Sequence, residues 1–162
     1  MGGPTLSFQP YMQRRYGIAN LDQSAERLRQ CVDQTQSDRL IFLAHNGPCG
    51  LSQTPTDIWG RDFGPADGDY DFGDPDLEQA IAYAKGRDKE VLAVIAGHLH
   101  RQTKSGKQRQ WLVEKDGTKY INAAHVPRIV EQDSQVLRHH VRLVVVGRRP
   151  SAMAVAVTEM LV

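Results

Sequence analysis

Three histidines of this 162-residue chain have the spacing of metal ligands. His45 follows one short apolar segment, and His98 and His100 follow a second one. Because side chains alternate along an extended backbone, His98 and His100 are expected to point to the same side, and Gly97 before them allows a tight turn and the close approach of a ligand. Neutral imidazole is the commonest metal ligand in proteins, so three converging histidines predict a site for Zn, Mn or Fe.

The two apolar segments, 39–44 and 90–96, are predicted to be buried strands, since each is short, continuous and ends at a polar break. In open α/β sheets, ligands collect at the carboxyl ends of the strands. If the two strands are neighbours, the three histidines meet at one edge of the sheet.

Two helices are predicted beside these strands. The first covers 21–34, with Asn20 as its N-cap. The second begins after Asp74, has Pro75 at its first position and ends at Gly86. Helix, strand, loop, helix and strand in this order indicate an α/β domain.

The second half of the chain is predicted to be rich in strands. Asp116-Gly117 between two β-prone segments is a strong hairpin signal. A polar stretch, 131–140, is predicted to cross over to a second hairpin. The predicted strands of these two hairpins are 110–115, 118–123, 141–146 and 152–161.

Two segments are predicted to lack regular structure. Residues 1–19 contain several glycines and prolines and are predicted to form an irregular N-terminal arm. Residues 50–73 hold five glycines and form a long loop, which in a compact domain is usually functional or disordered. Aromatic side chains favour a loop that is anchored to the protein; these are Trp59, Phe63, Tyr70 and Phe72.

The histidine motifs resemble the last signatures of the calcineurin-like metallophosphoesterases. Residues 96–100, Ala-Gly-His-Leu-His, are similar to the family's strand followed by Gly-His-x-His, and residues 43–48, Leu-Ala-His-Asn-Gly-Pro, are similar to the signature before it. Residues 120–124 are similar to the strand after the site. The resemblance covers roughly residues 39–125, and Gly-Asp-Pro-Asp-Leu at 73–77 is similar to a subgroup found in photosynthetic lineages.

This resemblance implies a fold and a reaction. The fold is the C-terminal half of a four-layer α/β/β/α sandwich with mixed sheets. In the family, the histidines that match His45 and His98 bind one divalent metal and the histidine that matches His100 binds another, with Mn, Fe or Zn as the metals. A metal-bound hydroxide then attacks the phosphorus of a phosphate mono- or diester, so the implied substrate is a phosphorylated small molecule or another phosphoester.

The family's earlier signatures do not occur ahead of His45. They are Asp-x-His, Gly-Asp-x-x-Asp and Gly-Asn-His-(Asp/Glu), which supply the bridging aspartate, the asparagine ligand and the histidine that protonates the leaving group. The chain is therefore predicted to be one partial phosphoesterase domain over 1–162, without a complete catalytic set. The alternative is a catalytically inactive remnant that works as a binding or oligomerisation module. The acids available as substitute ligands are Asp62, Asp67, Asp69 and Asp71.

Asn46 and Arg101 are next to the predicted ligands, and we predict that they bind substrate. Arg101 also begins a run, 101–109, with four positive charges and no acid. That run is either a solvated hairpin loop or a rim that attracts an anionic substrate.

The remaining candidates have simpler interpretations. His125, His139 and His140 are predicted to be ordinary surface histidines, and Asn122 is predicted to be structural. Cys49 is either a soft metal ligand or a small buried residue.

Composition narrows the class of protein. A net charge of +1 does not indicate a nucleic-acid or membrane surface, and the basic run has no interleaved aromatic residue to stack on a base. Two cysteines, no signal peptide and no long apolar run predict a soluble cytoplasmic protein. Because half a sandwich leaves an apolar face and a strand edge uncovered, a homo-oligomer is expected.

Overall fold

The structure, a computed structural model, describes residues 10–66, 68–147 and 154–162. These residues form a mixed α/β protein with one mixed sheet and one antiparallel sheet. The helices are α1 (Pro10–Tyr16), α2 (Leu21–Gln34) and α3 (Pro75–Gly86). The strands are β1 (Arg39–Leu43), β2 (Glu90–Ala96), β3 (Leu112–Lys115), β4 (Thr118–Asn122), β5 (Ile129–Gln132), β6 (Gln135–Val146) and β7 (Ala154–Leu161).

The chain divides into two compact units, Met1–Ala124 and His125–Val162. The first unit holds all three helices and the four-stranded sheet, and the second holds the three-stranded sheet. The one domain expected over 1–162 stays a prediction.

The sheet of the first unit has the strand order β1-β2-β4-β3. Strands β1, β2 and β4 run parallel, and β3 is antiparallel to β4. The carboxyl ends of the three parallel strands therefore lie along one edge of the sheet. The predicted hairpin around Asp116-Gly117 is confirmed as β3 and β4, and both turn residues have positive φ, as the turn of a two-residue hairpin requires.

Helices α2 and α3 pack together and contribute to the apolar core. Asn20 caps α2 as predicted, because its Oδ1 accepts a hydrogen bond of 2.9 Å from Gln23 N. Asp74 is at the N-cap of α3, but its side chain makes no cap hydrogen bond. The core that these helices share with the sheet and the long loop includes Val32, Leu40, Ile58, Trp59, Phe72, Leu77, Ile81, Val91, Val94 and Tyr120.

Strand β1 is not the buried strand that its apolar run predicts. Leu40 is buried and Phe42 is half-buried, while the other residues of the strand are exposed, Leu43 to 78%. The reason is its place at the end of the sheet, where β2 is its only partner strand in the described part of the chain. Strand β2 lies between two strands and is buried along most of its length, as predicted.

The loop 50–73 is anchored by apolar side chains. Ile58 and Trp59 are fully buried, and Trp59 N donates a 3.0 Å hydrogen bond to Ser52 Oγ. Gly47, in the turn after β1, packs directly beneath the Trp59 ring. The loop is thus part of the core of the first unit.

The polar stretch 131–140 differs from its prediction. It contains the end of β5, a turn and the beginning of β6. Asp133 and Ser134 both have positive φ and join the two strands in a tight hairpin. The prediction failed because this turn has no glycine, although Asp also tolerates the left-handed region.

The irregular arm predicted for 1–19 is wrong for residues 10–16, which form α1, and residues 1–9 lie outside the described residues. Pro10 is the first residue of that helix, where its missing N–H costs nothing. Of the helices that the structure describes, none has the length and apolar character needed to cross a membrane.

Candidate functional site

The ends of β1 and β2 bring two predicted ligands, His45 and His98, into contact. Pairing of the parallel strands continues past their ends, because Ala44 N donates to Ile95 O and Gly97 N donates to His45 O, each at 3.0 Å. Nδ1 of His98 then lies 2.8 Å from Nε2 of His45, with the ring centroids 4.6 Å apart. The meeting of these two histidines at one sheet edge is what the strand ends predict.

His98 has a backbone conformation that few side chains adopt. Its φ is 65°, in the left-handed region, and non-glycine residues held there gather at functional sites. Gly97 was expected to make the tight turn, yet an added Cβ at Gly97 would meet only ordinary contacts, Ala124 Cβ at 3.6 Å and His45 O at 3.8 Å. The conformational demand of the motif therefore falls on His98.

The environment of His98 favours the neutral ring. His98 is exposed, but partial burial of its ring lowers its pKa from the ordinary value of 6.5, and the charges of His45 and His100 lower it further. His100 is exposed and lies near enough to act on His98 through its charge. A neutral imidazole is the form that binds a metal.

The long loop supplies a wall beside the histidine pair. The rings of Phe72 and His98 are stacked, with centroids 5.5 Å apart and an interplanar angle of 4°. Phe72 is held in turn, because its N donates to Trp59 O at 3.0 Å and its O accepts from Asn46 Nδ2 at 2.7 Å. On this wall, Arg61 Cζ lies 5.2 Å from the Phe72 centroid.

Phe72 and Arg61 were not identified as site residues from the sequence, because neither belongs to a histidine motif. The sequence does contain a signal for Arg61. It lies in the segment 58–63, whose apolar and aromatic side chains indicate a buried loop, and a cation in a buried loop is unusual.

Asn46, predicted to contact substrate, is buried and joins the site to the start of α3. Its Nδ2 also lies 3.3 Å from Asp74 Oδ1, and its Oδ1 has no hydrogen-bond partner among the described residues. Burial raises the pKa of Asp74 to about 6, and the hydrogen bond from Asn46 opposes that rise. Contact between Asn46 and a substrate stays a prediction.

Arg101, the second predicted substrate contact, is buried together with Arg109. Arg101 Nε donates to Asn122 O at 3.0 Å, and its Cζ lies 4.7 Å from the Trp111 ring centroid. Arg109 forms an ion pair with Asp62 at 3.7 Å. Two of the four cations of the basic run therefore support local structure, and a substrate contact by Arg101 stays a prediction.

The other two cations of the run, Lys104 and Lys107, are exposed. Lys104 N donates to Asp62 Oδ2 at 2.7 Å, and its Nζ lies 5.5 Å from the Phe63 ring centroid. The basic run therefore packs on the long loop and places one exposed cation beside Phe63.

Carboxylates of the long loop bind the loop's own backbone. Asp71 accepts hydrogen bonds from Gly50 N at 2.5 Å and Gly73 N at 2.9 Å, and Asp69 accepts one from Asp71 N at 2.9 Å. Asp67 lies outside the described residues. Within 10–66, 68–147 and 154–162, no group of three or more His, Cys, Asp or Glu side chains is placed to hold a metal ion.

Asn122 and Cys49 contribute to structure near the site. Asn122 is fully buried, and its Nδ2 donates to Ile58 O and Leu99 O, each at 3.0 Å, in agreement with the structural role predicted for it. Burial raises the pKa of Cys49 to about 11, and the carboxylates of Asp71 and Glu78 add to that rise.

The histidines of the second unit are only partly the surface residues that were predicted. His139 has a side chain that is 7% exposed, and its Nε2 lies 2.8 Å from Glu159 Oε1. Its ring stacks on His125, with centroids 4.3 Å apart. His125 is half-buried and His140 is exposed. Sequence reasoning missed the His139–Glu159 pair because it depends on the register of β6 and β7.

The chemistry of the His45–His98 pair fits part of a metal site. In a tetrahedral zinc site with Zn–N bonds near 2.0–2.1 Å, two ligand nitrogens are about 3.3 Å apart. A separation of 2.8 Å is a hydrogen bond, so the pair would open by about half an ångström to accept an ion. His45 and His98 are therefore suited to bind one metal ion. The described residues do not place a third ligand beside them.

Comparisons with known proteins give no match: no family model, no curated protein and no solved structure matches the chain. The geometry of the histidine pair and its surroundings is therefore the basis for a functional proposal.

Proposed function

We propose that this chain is part of a metal-dependent phosphoesterase that hydrolyses phosphate mono- or diesters. The observation that carries the proposal is the His45–His98 contact at the carboxyl ends of two parallel strands. It supports the proposal because the two histidine motifs, more than 50 residues apart, converge where α/β sheets bind ligands. The cytoplasmic location belongs to the same proposal.

The finer fold in this proposal is the C-terminal half of an α/β/β/α sandwich. A mostly parallel sheet with α2 and α3 packed together beside it is compatible with that architecture. The exposed side chains of β1 are compatible with a face that another layer covers.

His45 and His98 are the proposed ligands of one divalent Mn, Fe or Zn ion, and His100 is the proposed ligand of a second. Such an ion supplies Lewis-acid stabilisation of charge on the phosphoryl oxygens. The protein contributes orientation: Phe72 fixes the plane of the His98 ring by stacking, and Asn46 fixes the backbone of Phe72. The lowered pKa of His98 keeps its nitrogen available at neutral pH.

The test is metal binding by chelator-treated protein, measured by calorimetry with Zn²⁺ and Mn²⁺. His98→Asn is the informative variant, because asparagine tolerates the left-handed backbone of residue 98 and removes only the imidazole. Loss of a ligand is expected to weaken metal binding by at least about 100-fold. Mutation of residues that only hydrogen-bond to the ligands already weakens metal binding by up to about that factor. His140→Asn is the matched control at an exposed histidine.

Phosphoester turnover on the same samples completes the test. Any turnover of p-nitrophenyl phosphate or bis(p-nitrophenyl) phosphate by the native chain in added Mn²⁺ is expected to persist in the His140 variant and to be lost in His98→Asn. A native chain that binds neither metal contradicts the proposal.

A second candidate function is a non-catalytic oligomerisation module. It is favoured by the incomplete ligand set among the described residues and by Leu43 on the edge strand β1, which is 78% exposed. Exposed apolar edge strands promote association. If the chain is an oligomerisation module, light scattering is expected to show an oligomer for the native chain. The Leu43→Lys variant is then expected to shift toward the monomer. A monomeric native chain rejects this candidate.

A further inference from the structure

Arg61 is a buried cation without an anionic partner among the described residues. It is 7% exposed. Its side-chain contacts are with two rings, Phe63 at 5.3 Å and Phe72 at 5.2 Å from Cζ to the centroid. Its Nε has no hydrogen-bond partner within the part of the chain that the structure describes. Nη1 and Nη2 of Arg61 are not among the buried atoms that lack a partner, so they reach solvent, where an external anion can pair with the charge.

The neighbouring buried arginine Arg109 also has an Nε without a hydrogen-bond partner among the described residues, but its charge has an anionic partner. Its guanidinium has Asp62 at 3.7 Å, and its Nη1 donates to Pro55 O at 2.8 Å. Asp62 directly follows Arg61 in sequence, yet it pairs with Arg109 and caps Lys104 N. The acid closest to Arg61 along the chain is therefore already engaged.

Arg61 is linked to the histidine pair through the Phe72 ring. The Phe72 ring that it contacts is stacked on His98, so the guanidinium and the imidazole share one aromatic neighbour. Lys104 adds a second positive charge near the same wall, with Nζ 5.5 Å from the Phe63 centroid. A positive charge at this position attracts anions toward the histidines.

We propose that Arg61 binds a phosphate group of the substrate next to His45 and His98, and that the substrate is a phosphate monoester dianion. This inference rests on the proposed function. The guanidinium fork presents parallel N–H donors that match two phosphate oxygens. A dianionic monoester compensates a buried cation better than a monoanionic diester, because the attraction scales with the charge.

The experiment is calorimetric titration of metal-free, chelator-treated protein with inorganic phosphate, so that binding does not depend on a bound metal. Arg61→Met keeps much of the side-chain length and apolar contact but removes the charge. It is expected to weaken phosphate binding about 10- to 100-fold, the range for loss of hydrogen bonds to a charged group. Arg87→Met is the matched control, since Arg87 is exposed at the end of α3.

Two further measurements separate anion binding from a structural role. Dimethyl phosphate, a monoanion, is expected to bind the native chain about 10-fold more weakly than inorganic phosphate, because it carries less charge. Thermal unfolding of Arg61→Met is expected at the native temperature or above it, because the variant loses an uncompensated buried charge.

Native phosphate affinity in Arg61→Met, equal binding of the two anions, or no phosphate binding by the native chain overturns the proposal. An unfolding temperature of Arg61→Met well below the native value, with phosphate affinity unchanged, assigns Arg61 a packing role and also overturns it. Phosphate binding that depends on Arg61 in a chain that binds no Zn²⁺ or Mn²⁺ supports the anion site and rejects the metal-dependent phosphoesterase.

Discussion

Replacing Gly47 with alanine is expected to disrupt the turn that carries His45. An added Cβ at Gly47 would overlap Cδ2, Cε2 and Cζ2 of the Trp59 indole. Trp59 is fully buried, and its backbone N donates a hydrogen bond to Ser52 Oγ at 3.0 Å, so a shift of the ring would disturb the surrounding core. Either the turn after β1 or the anchored loop must shift.

The size of the effect follows from comparison with Gly97→Ala. Neither glycine has a positive φ, so alanine can adopt the native backbone at either position. By restricting the unfolded chain, it is expected to add about 0.4–1 kcal/mol to the free energy of unfolding. Overpacking at Gly47 costs about 1–3 kcal/mol or more, while Gly97 has room for the methyl group. The two variants are therefore expected to differ in unfolding free energy by at least about 1–3 kcal/mol.

Thermal unfolding followed by circular dichroism is the direct assay. For a chain of this size, 1 kcal/mol corresponds to about 2–4 °C, so the Gly47 variant is expected to unfold several degrees below the Gly97 variant. Tryptophan fluorescence in a Trp111→Phe background provides a local probe of the same packing. Equal unfolding temperatures would refute the contact between Gly47 and Trp59, and with it the placement of the loop against the histidine turn.

Two predictions follow from shifted pKa values. Burial holds the pKa of His98 below 6.5 in the folded protein, so the His98 ring binds a proton more readily in the unfolded chain. The free energy of unfolding is therefore expected to fall as the pH drops below 6.5. The test compares the urea midpoints of the native chain and His98→Asn at pH 7.5 and at pH 5.5. The difference between the two proteins should change with pH, and a constant difference contradicts the lowered pKa of His98. Burial raises the pKa of Cys49 to about 11 from 9.0, which lowers its thiolate fraction about 100-fold near neutral pH. Iodoacetamide at pH 8 is therefore expected to label the exposed Cys31 well before Cys49, as peptide mass spectrometry can show, and equal rates would count against burial of Cys49.

Local signals predicted several elements well. Helix α2 has its predicted bounds and the Asn20 cap, and the hairpin of β3 and β4 surrounds Asp116-Gly117. Strand β2 is buried as its apolar run indicates. These elements depend on hydrogen bonds and apolar patterns within a few residues, so the local sequence is enough to predict them.

Other features were missed because their signals are weak or ambiguous along the chain. An apolar run predicted β1 to be buried, but its place at the edge of the sheet leaves Leu43 exposed. The turn at Asp133-Ser134 lacks the usual glycine, so the polar sequence around it does not predict β5 and the beginning of β6. Edge position and strand register are set by partner strands distant in sequence.

The sequence by itself determined which residues are candidate ligands and that His45 and His98 follow strands. Only the tertiary structure decided that the two rings lie 2.8 Å apart, that His98 adopts the left-handed conformation, and that Phe72 and Arg61 form the wall beside them. The physical reason is that motifs specify side-chain chemistry and strand ends, whereas distances between side chains depend on the parallel pairing of β1 and β2 and on how a long loop packs over the core.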